Sequence, residues 1–257
     1  MPRRYIVTRP AGHAAVLSEA LRAVGIEPVE VPTVTITPPE SWRSLDEALR
    51  RIQEYDWLLL TSRSGVEALF ARAGPGFAWP GTLRWAAIGS GTADALHERG
   101  ISDVWIPSRF LGEAIAREMP AARGDRVLRV RAEQASEVPT EGLRARGVEV
   151  NDVIGYRTHA APAASRAQLV RAFAEGVEGV IFTSASTVRG FLDLVDATGL
   201  RLEVGSIRLV AIGPVTADAL RAEGLTPHAV AAEYSVRGIV EVLAERSDQH
   251  AARMRER

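Results

Sequence analysis

Apolar residues in this chain come in strand-sized blocks, and each block leads through a polar or glycine-containing turn into a run where apolar positions recur at helical spacing. The first block, Arg4 to Thr8, is rich in β-formers and stops at Arg9-Pro10. Val16, Leu17, Ala20, Leu21 and Val24 then share one face of a helix predicted from about His13, with Gly25 at its C′ position. A second strand is predicted from Ile26 through to Thr37, ending at Pro38-Pro39, and its later part alternates threonine with aliphatic residues like a two-sided ribbon. The pattern next predicts a helix over Ser44 to Tyr55, a strand over Asp56 to Thr61 and a helix opened by Ser62-Arg63-Ser64-Gly65. Strands over Leu83 to Ile88 and Val104 to Pro107 follow. Strands alternating with helices of this length mean βαβ units and parallel sheets.

The itinerary is then repeated. AAIGSGTADALHERG from Ala86 answers VAIGPVTADALRAEG from Val210, with Gly89 and Gly213, and likewise Thr92 and Thr216, 124 residues apart. TSRSGVEALF from Thr61 answers TSASTVRGFL from Thr183, 122 apart, and Gly25 answers Gly147 at the same interval. The strand beginning VLRVRAE at Val127 matches YIVTRPA at Tyr5, and EVNDVIGYRTHAAPAA repeats the long strand with its following composition break. Thr33–Thr37 and Ile154–His159 are therefore read as two crossings between domains, each domain assembled from parts of both repeats; two tandem contiguous domains are the alternative. The two focal turns differ, since Pro214 stands where the first copy has Ser90 and Val215 where it has Gly91, so the first turn is expected to be the more flexible.

Composition narrows the chemistry. At 257 residues, 46% hydrophobic and 25% charged with a formal charge of −1, the chain has an ordinary soluble profile, and two units of about 120 residues suit it better than one core. The N-terminal residues lack the apolar stretch of a signal peptide and no run reaches spanning length, so a cytoplasmic protein that contacts neither membrane nor nucleic acid is expected. Cysteine is absent, which removes thiolate catalysis, disulfides and thiolate metal sites. Lysine is absent too, which removes Schiff-base chemistry and the lysine of a P-loop. The five histidines lack ligand spacing, so no metal site is expected. What remains is oxygen acids, arginines and backbone.

Ligands of parallel α/β sheets sit beyond the carboxyl ends of the strands, where helix N-termini point free N–H groups outward. The residues expected there are Arg9, Ser62, Ser64, Gly89, Gly91, Thr92, Arg131, Ser184, Ser186, Gly213 and Thr216, a hydroxyl, glycine and arginine set suited to a flexible polyanion. Each has a plain architectural reading beside the binding one. Thr92 and Thr216 are read as N-caps of the following helices, with ligand contact in addition, and the four serines as caps. The glycines either permit the turns or allow close ligand approach. Arg9 and Arg131 either pair with surface carboxylates or hold a ligand, with Arg63 and Arg157 as weaker versions of the same idea. Tyr156, on the second crossing strand, is either an aromatic spacer or a proton donor.

TRP at the end of the first strand, D-W-L-L-L-T-S before a helix, the doubled AIG-x-x-TA-x-AL turn and GYRT after G-V-E-V together resemble the uroporphyrinogen-III synthase family over about residues 4 to 245. The resemblance implies two similar parallel-sheet, flavodoxin-like α/β domains joined by a two-stranded antiparallel linker, with a ligand cleft between them. On this reading 1–35 plus 160–246 form the first domain, 36–157 the second, and 247–257 a polar tail. It further implies an enzyme of tetrapyrrole biosynthesis that cyclises hydroxymethylbilane to uroporphyrinogen III with loss of water and inversion of the last ring. No cofactor is implied, and the expected chain is a monomer whose partner is its eight-carboxylate substrate, with transient contact to the preceding pathway enzyme. The family's polar cleft set falls on Tyr156, Thr92, Thr216, Ser62 and Ser184. The rival reading is a non-catalytic two-lobed binding or sensor protein for an anionic small molecule.

Overall fold

The computed structural model describes residues 3–244. The described residues up to Thr35, together with those from His159 onward, form one compact unit, and Ile36–Thr158 form the other. The tail predicted over 247–257 lies outside the described residues. In chain order, β1 (Arg3–Val7), α1 (Ala15–Ala23) and β2 (Ile26–Glu30) open the first unit. There follow β3 (Val34–Thr37), α2 (Arg43–Arg50), β4 (Trp57–Leu60), α3 (Arg63–Ala73), β5 (Arg84–Ala87) and α4 (Ser90–His97). Next come β6 (Val104–Trp105), α5 (Gly112–Glu118), β7 (Arg126–Ala132), α6 (Val138–Ala145) and β8 (Glu149–Ala160). The first unit is completed by α7 (Ser165–Ala174), β9 (Gly179–Phe182), α8 (Ala185–Thr198), α9 (Arg201–Val204), β10 (Arg208–Ala211), α10 (Pro214–Ala222), β11 (Ala229–Val230) and α11 over 236–244.

The sheet of the first unit runs β11-β10-β9-β1-β2, and all its pairs are parallel. The second sheet runs β3-β8-β7-β4-β5-β6, with the five strands from β8 to β6 parallel. Each set of five parallel strands combines a βαβ pair from one copy of the sequence repeat with three strands from the other. In the first unit the order read from β2 is the 2-1-3-4-5 of flavodoxin-like sheets. Tyr5 to Val7 pair with Gly179 to Ile181, so strands of the two sequence copies lie side by side in one sheet.

The strand predicted as continuous from Ile26 to Thr37 is instead broken, and Val31, Pro32 and Thr33 separate β2 from β3. Pro32 has no N–H to offer a ladder, which ends the first strand before the chain reaches the second sheet. Its repeat partner lacks that proline and forms the single twelve-residue β8. The helix predicted over Ser44 to Tyr55 likewise shortens to α2 followed by a 3₁₀ turn at Ile52–Glu54.

β4 and β9 are buried along their whole length because helices cover both sheet faces. In the first unit Tyr5, Val7, Ile181 and Val210 pack with Leu17 and Leu21 of α1 and Ile239 of α11. The alternate residues Ile6, Val180, Phe182 and Leu209 pack with α7, α8 and α10. In the second unit Leu58, Leu60, Leu128 and Val130 face α2, α3 and α4, whereas Trp57, Leu59 and Val127 face α5 and α6. Each fully buried aliphatic side chain contributes about 1.5–3 kcal/mol. These cores fix the strand ends, and with them the loops where chemistry is possible.

Candidate functional site

The switch points of the two sheets fall between β1 and β9 in one unit and between β7 and β4 in the other. There, neighbouring crossovers leave in opposite directions and open a crevice beyond the strand ends. Ser62 follows β4 and Ser184 follows β9, so the two serines occupy equivalent switch-point positions. Both have extended backbone and both are N-caps. The Ser62 Oγ accepts from the Gly65 N–H at 3.0 Å, and the Ser184 Oγ accepts from the Thr187 N–H at 3.2 Å. Thr187 returns the bond to the Ser184 N–H, completing a capping box, and Ser186 Oγ lies 2.9 Å from Ser184 Oγ. Ser64 is half-buried in the first turn of α3.

Ser62 has a second partner. The Tyr156 hydroxyl donates to its Oγ at 2.8 Å, and the tyrosine is 8% exposed. Its position depends on a bulge in β8: Arg131 registers with Ile154 but Ala132 registers with Tyr156, so Gly155 is skipped. A Cβ on Gly155 would lie 2.6 Å from a Val130 methyl, so a glycine is needed at the bulge that re-aims Tyr156. Burial raises the phenol above its ordinary value, and the hydrogen bond with Ser62 opposes that only in part. The phenol therefore stays protonated, a buried donor within β8 that reaches the Ser62 cap after β4.

The doubled glycine turns do not have the predicted caps. Gly89 and Gly213 are themselves the N-caps of α4 and α10, and Thr92 and Thr216 stand at the third helical position, buried at 6% and 3% exposure. The helices begin as soon as the glycines end, so the threonines fall inside the first turn; the Thr92 N–H donates to the Gly89 carbonyl at 3.1 Å, and in the other copy the Ala217 N–H donates to the Gly213 carbonyl at 3.0 Å. Neither glycine is required by its dihedral angles, since φ is −175° and −179°. Both are required by close packing: a Cβ on Gly89 would lie 2.6 Å from Cγ of Phe110, and one on Gly213 would lie 2.9 Å from Cδ1 of Tyr234. Gly91 has open space where its Cβ would stand.

The arginines divide. The Arg131 guanidinium bonds Asp152 Oδ1 at 2.8 Å, Glu137 at 2.9 Å and the carbonyls of Ala132 and Glu133, so its donors are committed within its own unit. Arg9 donates to the His13 carbonyl at 3.3 Å. Arg63 pairs with Glu98, and Arg157 with Glu40 and the Pro38 carbonyl. Among the described residues no group of His, Cys, Asp or Glu could hold a metal ion. A shallow depression lined by Asp46, Leu49, Arg50, Arg72, Ala73 and Phe77 lies along α2 and α3 and contains none of the predicted site residues.

Sequence reasoning missed three things. Phe110 and Tyr234 stand 124 residues apart, the same interval as the glycines they cover, and that interval was the available signal. The glycine within the strand pattern at Gly155 signalled a bulge. The buried cation Arg129, which donates to Thr140 Oγ1 at 2.8 Å, Asp152 at 3.1 Å and the Ser136 carbonyl at 2.8 Å, sits in a run otherwise read as apolar and gave no signal.

A family model described as uroporphyrinogen-III synthase HemD matches residues 15–241. A uroporphyrinogen-III synthase of Synechococcus elongatus is 32% identical over 222 residues, covering 83% of this chain and 84% of its own. A porphyrin biosynthesis protein HemD of Ruminiclostridium josui is 30% identical over 94% of this chain, which spans 48% of that longer protein. Among solved structures, a mutant uroporphyrinogen III synthase of Thermus thermophilus superposes with a TM-score of 0.63 over 96% of this chain and 99% of its own. At 20% identity that likeness speaks to the fold alone.

Proposed function

The chain belongs to the uroporphyrinogen-III synthase family, cyclising lyases of haem biosynthesis, and we propose that it closes linear hydroxymethylbilane to uroporphyrinogen III, inverting the last ring, with Tyr156 as proton donor. The binding or sensor alternative has no observation in its favour. The single observation that carries the catalytic assignment is the Tyr156 hydroxyl held at 2.8 Å from Ser62 at the switch point of its sheet.

In the reaction the pyrrole nitrogen pushes out the terminal hydroxyl, which leaves as water once protonated, and the azafulvene so formed is attacked by the substituted carbon of the last ring. The older bond from that carbon to its methylene then breaks and re-forms at the ring's free carbon, which loses its proton, so the ring ends inverted. The protein's tasks are to supply or orient that proton and to hold the chain so that the substituted carbon, not the free one, attacks. Orientation of that kind contributes several kcal/mol without a strong base. A phenol kept protonated by burial and aimed by Ser62 serves the first task. The hydroxyls of Ser62, Ser64, Thr92, Ser184, Ser186 and Thr216, with the glycines and Arg9, are assigned to substrate binding; Arg131 is set aside because Asp152 and Glu137 already occupy its guanidinium. Among the described residues no helix is long and apolar enough to cross a membrane. The same reading has a monomeric cytoplasmic enzyme that receives its unstable substrate from the preceding enzyme.

The test is incubation of the protein with enzymatically generated hydroxymethylbilane and chromatographic separation of the isomers. Type III product is expected; type I alone, at the spontaneous rate, would overturn the reading. Tyr156→Phe is expected to slow turnover on the order of 10²-fold, the low end for a positioned proton donor. A folded Tyr156→Phe protein with unchanged turnover would remove the tyrosine from that role.

A further inference from the structure

The aromatic rings over the two glycine turns form a device that the proposed chemistry has not used. Phe110 lies between β6 and α5, and Tyr234 between β11 and α11, each 21 residues after the glycine it covers. On the Gly89 side a Cβ would meet Phe110 Cγ at 2.6 Å, Cδ2 at 2.8 Å and Cβ at 3.1 Å. On the Gly213 side it would meet Tyr234 Cδ1 at 2.9 Å, Cγ at 3.1 Å and Cε1 at 3.3 Å. In each unit, then, a ring rests directly on the backbone at the point where a strand turns into a helix.

Three observations set these rings apart from ordinary packing. Both are half-buried, unlike Phe182 and Phe191, which are fully enclosed in their core. Both copies keep the glycine and the ring, while the two residues between glycine and threonine have diverged from Ser90-Gly91 to Pro214-Val215. Extended φ at both glycines means that any residue could trace the turn, so the ring alone excludes a side chain. The shared feature is contact with the backbone just ahead of the helical amides, where an N-terminus presents N–H groups to an anion.

We infer that Phe110 and Tyr234 are positioning residues for the ring closure, each pinning its glycine turn so that the first-turn amides and Thr92 or Thr216 meet the substrate carboxylates in one geometry. The inference rests on the proposed synthase activity. It assigns the rings to selectivity: they act through the turns, and a loosened turn lets the linear substrate close at its free carbon. Misplacement of a bound reactant by about 1 Å costs up to ~10²-fold, so the product ratio is the sensitive quantity.

The experiment compares Phe110→Leu, Tyr234→Leu, Gly89→Ala and Gly213→Ala with the wild type and with the conservative pair Phe110→Tyr and Tyr234→Phe. Melting temperature, KM, kcat and the ratio of type III to type I product are measured for each. The leucine and alanine variants are expected to melt within a few degrees of wild type yet to lower the type III to type I ratio by about tenfold or more. The aromatic exchanges should keep the wild-type ratio. Gly89→Ala displaces the ring without removing it, so adding Phe110→Ala to it should give a protein no worse than Phe110→Ala alone. Wild-type ratio and KM in the folded leucine and alanine variants would overturn the inference. So would loss of activity only in step with loss of folding, because the rings would then be structural. A wild-type protein that yields no type III product would fail at the earlier step and sink the synthase reading itself.

Discussion

The two βαβ units that open each sequence copy share one hydrogen bond and differ in what surrounds it. In the first, Ser18 Oγ on α1 donates to Glu30 Oε1 on β2 at 2.7 Å; in the second, Thr140 Oγ1 on α6 donates to Asp152 Oδ2 on β8 at 2.9 Å, with both residues displaced by 122 positions. The strand residue beside that bond is Val7 in one copy and Arg129 in the other, and both are buried, at 0% and 1% exposure. A valine there only fills space. An arginine brings a charge that burial disfavours, and its pKa falls below the usual guanidinium value because desolvation outweighs the attraction of Asp152. Asp152 also serves Arg131 at 2.8 Å, so one carboxylate holds two cations, while the Nε of Arg129 has no partner. The same backbone thus tolerates an apolar or an ionic core at one point, and the ionic version is the one that fails when a partner is lost.

Removing that partner is the largest expected effect. Asp152→Ala should cost about 3–5 kcal/mol in chemical denaturation, the range for leaving a buried charge uncompensated. Glu30→Ala removes an exposed carboxylate but leaves the buried Ser18 hydroxyl without that acceptor, and should cost about 1–2 kcal/mol. Equal costs would show that Arg129 finds water or another acceptor, and the contrast between the copies would collapse. A second contrast concerns where the small residue sits when a helix packs on the stretch at Thr33 or on its repeat counterpart Gly155. In the first unit it is on the helix: a Cβ on Gly190 of α8 would lie 2.0 Å from the Thr33 carbonyl oxygen. In the second unit Ala68 of α3 faces the site of a Cβ on Gly155 at 3.6 Å, so the glycine is on the strand. Gly190→Ala should therefore destabilise by about 1–3 kcal/mol through overpacking, whereas Ala68→Gly should cost about 1 kcal/mol through helix propensity alone.

This second contrast also shows how far the sequence could be read. Strand and helix existence, the parallel α/β class and the duplication followed from periodicity and from repeated motifs, because those encode buried faces and turn geometry locally. Pro32 marks the break, yet the Thr–aliphatic alternation after it reads as the continuation of one strand. At the candidate site, Ser62 and Ser184 were legible as caps because capping is a local interaction. Thr92 and Thr216 were misplaced by one helical turn, since a glycine N-cap shows no side-chain signature. The rings on the glycines, the carboxylate shared by Arg129 and Arg131 and the Tyr156 to Ser62 bond join residues 21 to 94 positions apart, and no local pattern reports such contacts.

The two serine caps sharpen the comparison further. Ser184→Ala removes a cap and its box, about 1 kcal/mol, while Ser62→Ala also leaves the buried Tyr156 hydroxyl without its acceptor and should cost about 2 kcal/mol. In a Ser62→Ala/Tyr156→Phe double mutant the extra cost should vanish, and additive losses would mean that the 2.8 Å bond contributes nothing.

The smallest expected effect separates the tyrosine from its counterpart in the other copy, Val34, which is buried and does not titrate. Tyr156 has a folded pKa above the ordinary 10.0 because burial disfavours the phenolate. The fold therefore binds the phenolic proton more tightly than the unfolded chain does. The resulting stability is fully present below about pH 10 and is lost as pH rises through the unfolded value toward the folded one. Tyr5, buried beside Glu178, is raised for the same leading reason and loses stability over the same window. Tyr156→Phe should consequently flatten the alkaline fall of the denaturation midpoint without abolishing it, and Val34→Ile should leave the slope as it was. If Tyr156→Phe left the alkaline slope unchanged, the phenol would be titrating as it does in water. A donor so exposed would not fit the proton-donor role proposed for Tyr156, whatever the bulge at Gly155 and the 2.8 Å bond to Ser62 do for its position.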